Sequence, residues 1–371
     1  MRLESIRLRE IRLPLKEPFR ISSGEVTERR ILLLELRDAD GHATWSECVA
    51  GEQPNYGPET IDTAWHAIRS WLAPRILGQQ LAGPGDAAVL LNDGVRGHPM
   101  AKAAVEMGCW ALEAEGRKVA LAEVLGGVRE WVPVGISLGI QRSPAALVER
   151  ALAAQVAGYR KIKLKIGPGS DIEYVAAVRE ALGADAPLMA DANSAYALED
   201  AAHLAELDAF LLLMIEQPLY PEDLVRHAAL QRILRTPICL DESIVSRRHA
   251  EDMIELGSGR IVNIKPGRVG GFAESIAIHD VCAAHAMPVW CGGMLESGIG
   301  RAYNLALATL PNFKIPGDLS PSSRYWERDI VTPEWTMDSN GGMRVPLDRA
   351  GLGVGVDVDR IDDLTVRSEQ C

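Results

Sequence analysis

Five short stretches between Arg160 and Gly271 share one pattern, a run of strand-forming residues closed by a charge. They span 161–165, 187–191, 211–216, 237–241 and 261–265. The first alternates Lys with apolar residues. The other four are mainly apolar or β-branched, the pattern of buried strands. The closing residues are Lys165, Asp191, Glu216, Asp241 and Lys265, at steps of 26, 25, 25 and 24. A near-constant step predicts one repeated strand–helix unit, and such units build a barrel. The five charged residues are then expected at equivalent points of successive strands, with the three carboxylates at one level.

The flanks fit around this core. Residues 3–13 read as a strand that Pro14 and Pro18 interrupt, followed by a polar loop over 20–27. Two more strands are expected at 31–36 and 43–49, joined by the turn Asp38-Ala39-Asp40-Gly41. A loop at 51–57 carries Tyr56, and helices are expected over 58–77, around 87–91 and over 100–116. From Val132 strands and helices alternate, with helices at 144–157, 171–182, 198–207, 221–234, 247–256, 271–286 and 298–309. Further strands fall at 132–138, 287–291 and near 313–315. The fold class is α/β: a (β/α)7β modified TIM barrel with an N-terminal α+β capping domain completed by the C-terminal tail. The expected divisions are 1–127, 128–320 and 321–371, the last returning to the cap.

The 371 residues accommodate a barrel of about 250 and a second unit. A net charge of −12 argues against a nucleic-acid partner, since phosphate binding needs a basic footprint. A small anion remains compatible, because local lysines can oppose the global sign. The six cysteines are scattered without C-x-x-C, pointing to a reducing cytoplasm. The N-terminal residues mix charges with apolar side chains, unlike a signal peptide, and no run suits a membrane span. A closed homo-oligomer is the expected assembly.

In a barrel, side chains at the C-terminal strand ends face the active site. Asp191, Glu216 and Asp241 would repel one another unless neutralised, and a hard divalent cation solves this. The all-oxygen set suits Mg²⁺, with Mn²⁺ or Co²⁺ as substitutes, rather than Zn²⁺. Lys163 and Lys165 share one strand face, and a parallel barrel strand has no solvated face, so both should enter the barrel mouth. Mutual repulsion and the metal are expected to lower their pKa and fit one as a general base. Lys265 stands across the mouth. A small carboxylate bound between the lysines would lose its α-proton to one of them. The histidines end no barrel strand and read as structural. Gly135-Ile136-Ser137-Leu138-Gly139 matches G-x-S-x-G, but Ser137 lies within a strand rather than at a nucleophile elbow.

These residues resemble a known family. The runs KIKLKI (161–166), Asp191-Ala192-Asn193, Ile215-Glu216-Gln217-Pro218, 239–243, 263–271 and 290–301 are similar to motifs of the enolase superfamily, muconate-lactonising-enzyme subgroup. Within it the chain most resembles the o-succinylbenzoate synthase / N-acylamino acid (N-succinylamino acid) racemase family. A lysine base with Mg²⁺ is an established pattern of that superfamily. The resemblance implies Asp191, Glu216 and Asp241 as metal ligands and Lys165 and Lys265 as acid/base lysines. It implies Lys163 as an auxiliary cation near the substrate carboxylate. It implies substrate contacts through Ser137, Asn193, Gly293, Met294 and Leu295, a closing loop from Phe19 to Gly24, and a second loop with Tyr56. Tyr325 is a looser match on the tail. Arg268, in a KPGR run, tilts the reading toward racemisation. The activity implied is dehydration to o-succinylbenzoate, racemisation of N-succinylamino acids, or both, within menaquinone synthesis or amino-acid metabolism.

A dipeptide epimerase or cycloisomerase of the same superfamily is the alternative. Epimerases of this kind carry Asp-x-Asp on the eighth strand, whereas Gly317-Asp318-Leu319-Ser320 has one acid. Mandelate-racemase-like sites need a seventh-strand His, where this chain has Trp290-Cys291-Gly292. A non-catalytic barrel binding protein would have lost a ligand or a lysine, and none is missing.

Overall fold

The structure, a computed structural model, describes residues 1–21 and 24–371, without the side chains of residues 19–25. Four strands form the cap sheet. Leu3–Ile21, Gly24–Asp38 and Ala43–Cys48 pair antiparallel in sequence, and Thr365–Gln370 pairs with the outer edge of the first. The first strand runs through Pro14 and Pro18 instead of stopping, and its register with the second shifts between Pro14 and Phe19. The second strand begins at Gly24, so Val26 and Thr27 are strand and not loop. The stretch from Phe19 to Gly24, expected as a closing loop, is strand at residues 19–21 and 24, with Phe19 opposite Val26; residues 22 and 23 and the side chain of Phe19 lie outside the described residues.

Against this sheet packs the helix Pro99–Arg117, opened by Pro at its first turn. Its first amides donate to buried Glu59, Met100 N at 2.7 Å and Ala101 N at 3.1 Å. Leu36, Ala101, Ala104, Val105 and Leu112 are buried in the cap's apolar cluster.

Seven parallel strands follow in chain order: Ile136–Leu138, Ile162–Lys165, Leu188–Asp191, Ile215–Glu216, Ile238–Leu240, Ile261–Ile264 and Val289–Cys291. They curl so that residues 313–318 close the ring. Phe313 bridges Val289, Gly317 bridges Val134, and Gly135 N donates to Gly317 O at 2.6 Å. The eighth strand is thus reduced to bridges, because Pro311 and Pro316 offer no amide to a ladder. Helices alternate with the strands, and Arg247–Leu256 matches its expected bounds. The stretch 211–216 forms a strand only at Ile215–Glu216. A 3-10 turn over Ala205–Phe210 ends at Leu211, which adopts a positive φ of 50°. Inside the barrel, Met189, Met214, Cys239, Ile261 and Trp290 form a separate apolar layer below the charged strand ends.

Candidate active site

The ladder climbs as it goes around. Lys165 stands opposite Asp191, and Asp191 opposite Glu216. Glu216, however, stands opposite Cys239, so Asp241 lies two residues further along. Val262 pairs with Leu240, so in the same register Asn263 falls opposite Asp241 and Lys265 lies two residues beyond it. The carboxylates therefore do not share one level. Barrel closure requires this stagger, and equal spacing in sequence counts unit length, not register.

Each carboxylate meets a lysine. Lys165 Nζ donates to Asp191 at 2.6 Å and to Asn193 Oδ1 at 2.5 Å. Lys265 Nζ donates to Asp241 at 2.7 Å. Lys163 Nζ lies 3.2 Å from both Asp191 and Glu216 and 2.6 Å from Asp318. Asp191, Glu216 and Asp241 are buried. Burial opposes ionisation of Asp191 and Asp241, but the adjoining cations hold both below the usual carboxylate range. Burial and the charge of Asp191 push Glu216 up to about 8. Lys163 departs from expectation. Burial disfavours the charge on Lys163 and Lys265, yet the carboxylates outweigh it and hold both above the ordinary lysine range.

Tyr56 reaches this centre from the cap. Its hydroxyl donates to Asp241 Oδ1 at 3.1 Å and accepts from Lys265 Nζ at 3.1 Å and Arg268 at 3.3 Å. Arg268, buried on the turn after Lys265, pairs with Asp241 and donates to the carbonyls of Ile244 and Asn263. Asn193 has a positive φ of 42° and donates to Glu242 at 3.1 Å. Ser137 is buried on the first barrel strand opposite Lys163, and its hydroxyl has no partner among the described residues. Gly293, Met294 and Leu295 line the same cavity of about 130 Å³ as Tyr56, Lys165 and Lys265. Met294 packs on the cap's apolar cluster, and Tyr325 is buried on the tail. A wider cleft of about 630 Å³ borders Glu17, Arg142 and Arg324 and touches none of the ladder residues.

Several residues of this centre escaped the sequence reading. Asn263 donates to Glu216 Oε1 at 2.7 Å. Its position two before Lys265 put it on the same strand face, a usable signal. Glu242, pushed up to about 7 by burial and Asp241, keeps one oxygen without a partner among the described residues. Asp318 and Lys161 form a buried pair 3.2 Å apart, and only the fold brings them together. The helical histidines are structural, as expected. His227 Nε2 accepts from Leu219 N, His279 Nε2 accepts from Asn312 N, and His203 pairs with Asp171.

The donor set has the chemistry of a hard-cation site: three buried carboxylates, all oxygen, here paired with the ammonium groups of Lys163, Lys165 and Lys265 and the guanidinium of Arg268. Among the described residues, a set of three ligand atoms within 4.8 Å of one another occurs instead at Asp38, Asp40 and His42. There Asp38 already accepts from the amides of Asp40 and His42 and meets the His42 ring, which makes a tight turn.

Family models match both parts of the chain. Residues 4–126 match the mandelate racemase / muconate lactonizing enzyme N-terminal domain, and residues 146–360 match the enolase C-terminal domain-like family. The chain belongs to the enolase superfamily. It is 48% identical over 359 residues to an o-succinylbenzoate synthase of Geobacillus stearothermophilus, covering 96% of this chain and 94% of that one. It is 47% identical over 365 residues to an N-succinylamino acid racemase of Amycolatopsis, covering 98% of each. A crystal structure of an enolase superfamily member from Listeria innocua superposes with a TM-score of 0.96 at 39% identity, covering 100% of this chain and 99% of that one. No helix among the described residues is long and apolar enough to cross a membrane.

Proposed function

We propose that this chain is a Mg²⁺-dependent o-succinylbenzoate synthase, an N-succinylamino acid racemase, or both, acting by α-proton abstraction from a carboxylate. One observation carries the reading: Lys165 and Lys265 flank one cavity, each bound to its own carboxylate, at 2.6 Å to Asp191 and 2.7 Å to Asp241. The two activities named for its relatives fit one site, because both begin with removal of the same kind of proton.

Asp191, Glu216 and Asp241 would hold the cation, whose charge would offset the negative charge that develops on the substrate carboxylate. Lys163 lies beside these ligands as a further cation. Lys165, as the neutral amine, takes the α-proton at Nζ from one face of the substrate. Lys265 delivers a proton from the opposite face, and the centre inverts. In dehydration, the proton taken by the base leaves with the departing hydroxyl as water, and the other lysine stays an ammonium that supports the charge. Tyr56 orients Lys265 and covers the cavity from the cap. Ser137, Asn193, Gly293, Met294, Leu295 and Arg268 surround the substrate. Mn²⁺ or Co²⁺ in place of Mg²⁺, and a cytoplasmic homo-oligomer, complete the proposal.

An epimerase acting on a free amine is less well supported, because the charge of Asp318 is already opposed by Lys161 and Lys163. The deciding experiment compares kcat/KM for the o-succinylbenzoate precursor with that for N-succinylamino acids. Turnover of either with added Mg²⁺ supports the reading. Turnover of neither, beside efficient epimerisation of a dipeptide, would reverse it.

A further inference from the structure

Beneath the carboxylates lies a charge cluster that the reaction above does not use. Lys161 is wholly buried, with Nζ 3.4 Å from the centre of the Trp290 ring and 3.2 Å from Asp318 Oδ1. Asp318 is buried where the chain closes the barrel, and its Oδ2 lies 2.6 Å from Lys163 Nζ. The space for Lys161 depends on Gly135, where a Cβ would stand 2.8 Å from Lys161 Cε. An isolated buried ammonium is costly, so Lys161 is tolerable only with its carboxylate and the aromatic face.

Lys163 sits between two sets of anions. Asp318 is nearest at 2.6 Å, and Asp191 and Glu216 are each at 3.2 Å. An ammonium and a divalent cation compete for the same carboxylate oxygens. They also repel each other strongly where little water screens them. If Asp191 and Glu216 are to serve as ligands, Lys163 needs another counter-charge. Asp318 is the remaining carboxylate in contact with it, and it neutralises Lys161 below as well.

We infer that Asp318 is a positioning residue of the metal site: by holding the Lys163 ammonium, it leaves Asp191 and Glu216 able to take a divalent cation. The inference rests on the reading of Asp191, Glu216 and Asp241 as ligands. Asp318 is not itself a ligand in this account, since each of its oxygens faces a lysine.

The test is calorimetric titration of Mg²⁺ into the full-length protein without substrate, for wild type, Asp318→Asn, Lys163→Met and the double variant. Asp318→Asn is expected to weaken Mg²⁺ binding about 10- to 100-fold, the range for partners of metal ligands. Lys163→Met should not weaken it. Adding Lys163→Met to Asp318→Asn should recover most of the loss, because the competing ammonium is gone. An Asp318→Asn protein that binds Mg²⁺ like wild type overturns the inference, and so does a double variant as weak as the single one. If Asp318→Asn fails to fold, Lys161→Met/Asp318→Asn removes the buried pair together and is expected to bind as weakly. Wild-type affinity in that variant also overturns the inference. A wild type that takes up no Mg²⁺ would instead sink the ligand assignment, so the two failures are distinguishable.

Discussion

At the scale of single residues, the chemistry depends on two amines held on opposite sides of one cavity. Lys165→Ala and Lys265→Ala should each abolish racemisation while Mg²⁺ binding persists. Each variant should still exchange the α-proton of one enantiomer with D₂O, the one facing the lysine that remains, as NMR of the recovered substrate would detect. A Lys265→Ala enzyme that still racemised would sink the two-base mechanism. Tyr56→Phe removes one hydroxyl that links Asp241, Lys265 and Arg268. A lost hydrogen bond is worth about 0.5–1.5 kcal/mol, so kcat/KM should fall several-fold to about tenfold with little change in Tm. The five ladder residues were legible because each closes a strand-like run. Lys161 and Asp318 were not, because their pairing depends on where residue 318 closes the ring, and no local pattern encodes that.

At the scale of elements, the cap and barrel are joined by buried glutamates set against the first turns of barrel helices. Glu106, on Pro99–Arg117, accepts from Phe272 N at 2.8 Å and Ala273 N at 3.0 Å, at the start of Phe272–Ala284. Glu47, on Ala43–Cys48, accepts from the Ser297 hydroxyl at 2.6 Å and Gly300 N at 3.1 Å, at the start of Gly298–Leu307. Burial pushes both carboxyls up to about 7. A carboxyl whose folded pKa lies above its unfolded value binds more protons when folded, so its contribution to stability falls as pH rises between the two. That loss is roughly 1 kcal/mol per pH unit per group. Thermal unfolding should therefore show Tm dropping between pH 5 and 7, and Glu106→Gln should flatten the drop. Loop packing gives a second prediction. A Cβ at Gly292 would stand 2.4 Å from Asn263 Oδ1 and 2.7 Å from Lys265 Cε. Gly292→Ala should leave circular dichroism unchanged and cut turnover severely by displacing Lys265. Sequence periodicity located most of these helices and strands because each has one buried face. It overextended the stretch at 211–216, where Leu212, Met214 and Ile215 are buried but Leu211 and Leu213 are exposed, so the run is not the continuously buried strand its apolar residues suggest.

At the scale of the whole molecule, charge is balanced around the centre. Lys161, Lys163, Lys165, Lys265 and Arg268 face Asp191, Glu216, Asp241, Glu242 and Asp318, five of each sign when ionised. A divalent cation would add two positive charges, which a dianionic substrate would offset. N-succinyl substrates should then show higher kcat/KM than N-acetyl analogues of the same amino acid, and equal values would count against this balance. The order of the cap sheet carries a different consequence. Its outer strand, Thr365–Gln370, pairs with Arg7–Ile11, from which it is separated by most of the chain. During synthesis the exposed edge of the first strand must wait until some 350 further residues have left the ribosome. An unpaired edge invites pairing with other chains. The barrel strands at 136–291 and the closing residues 313–318 all precede Thr365–Gln370, so a nascent chain stalled before Thr365 carries every barrel strand beneath an unfinished cover.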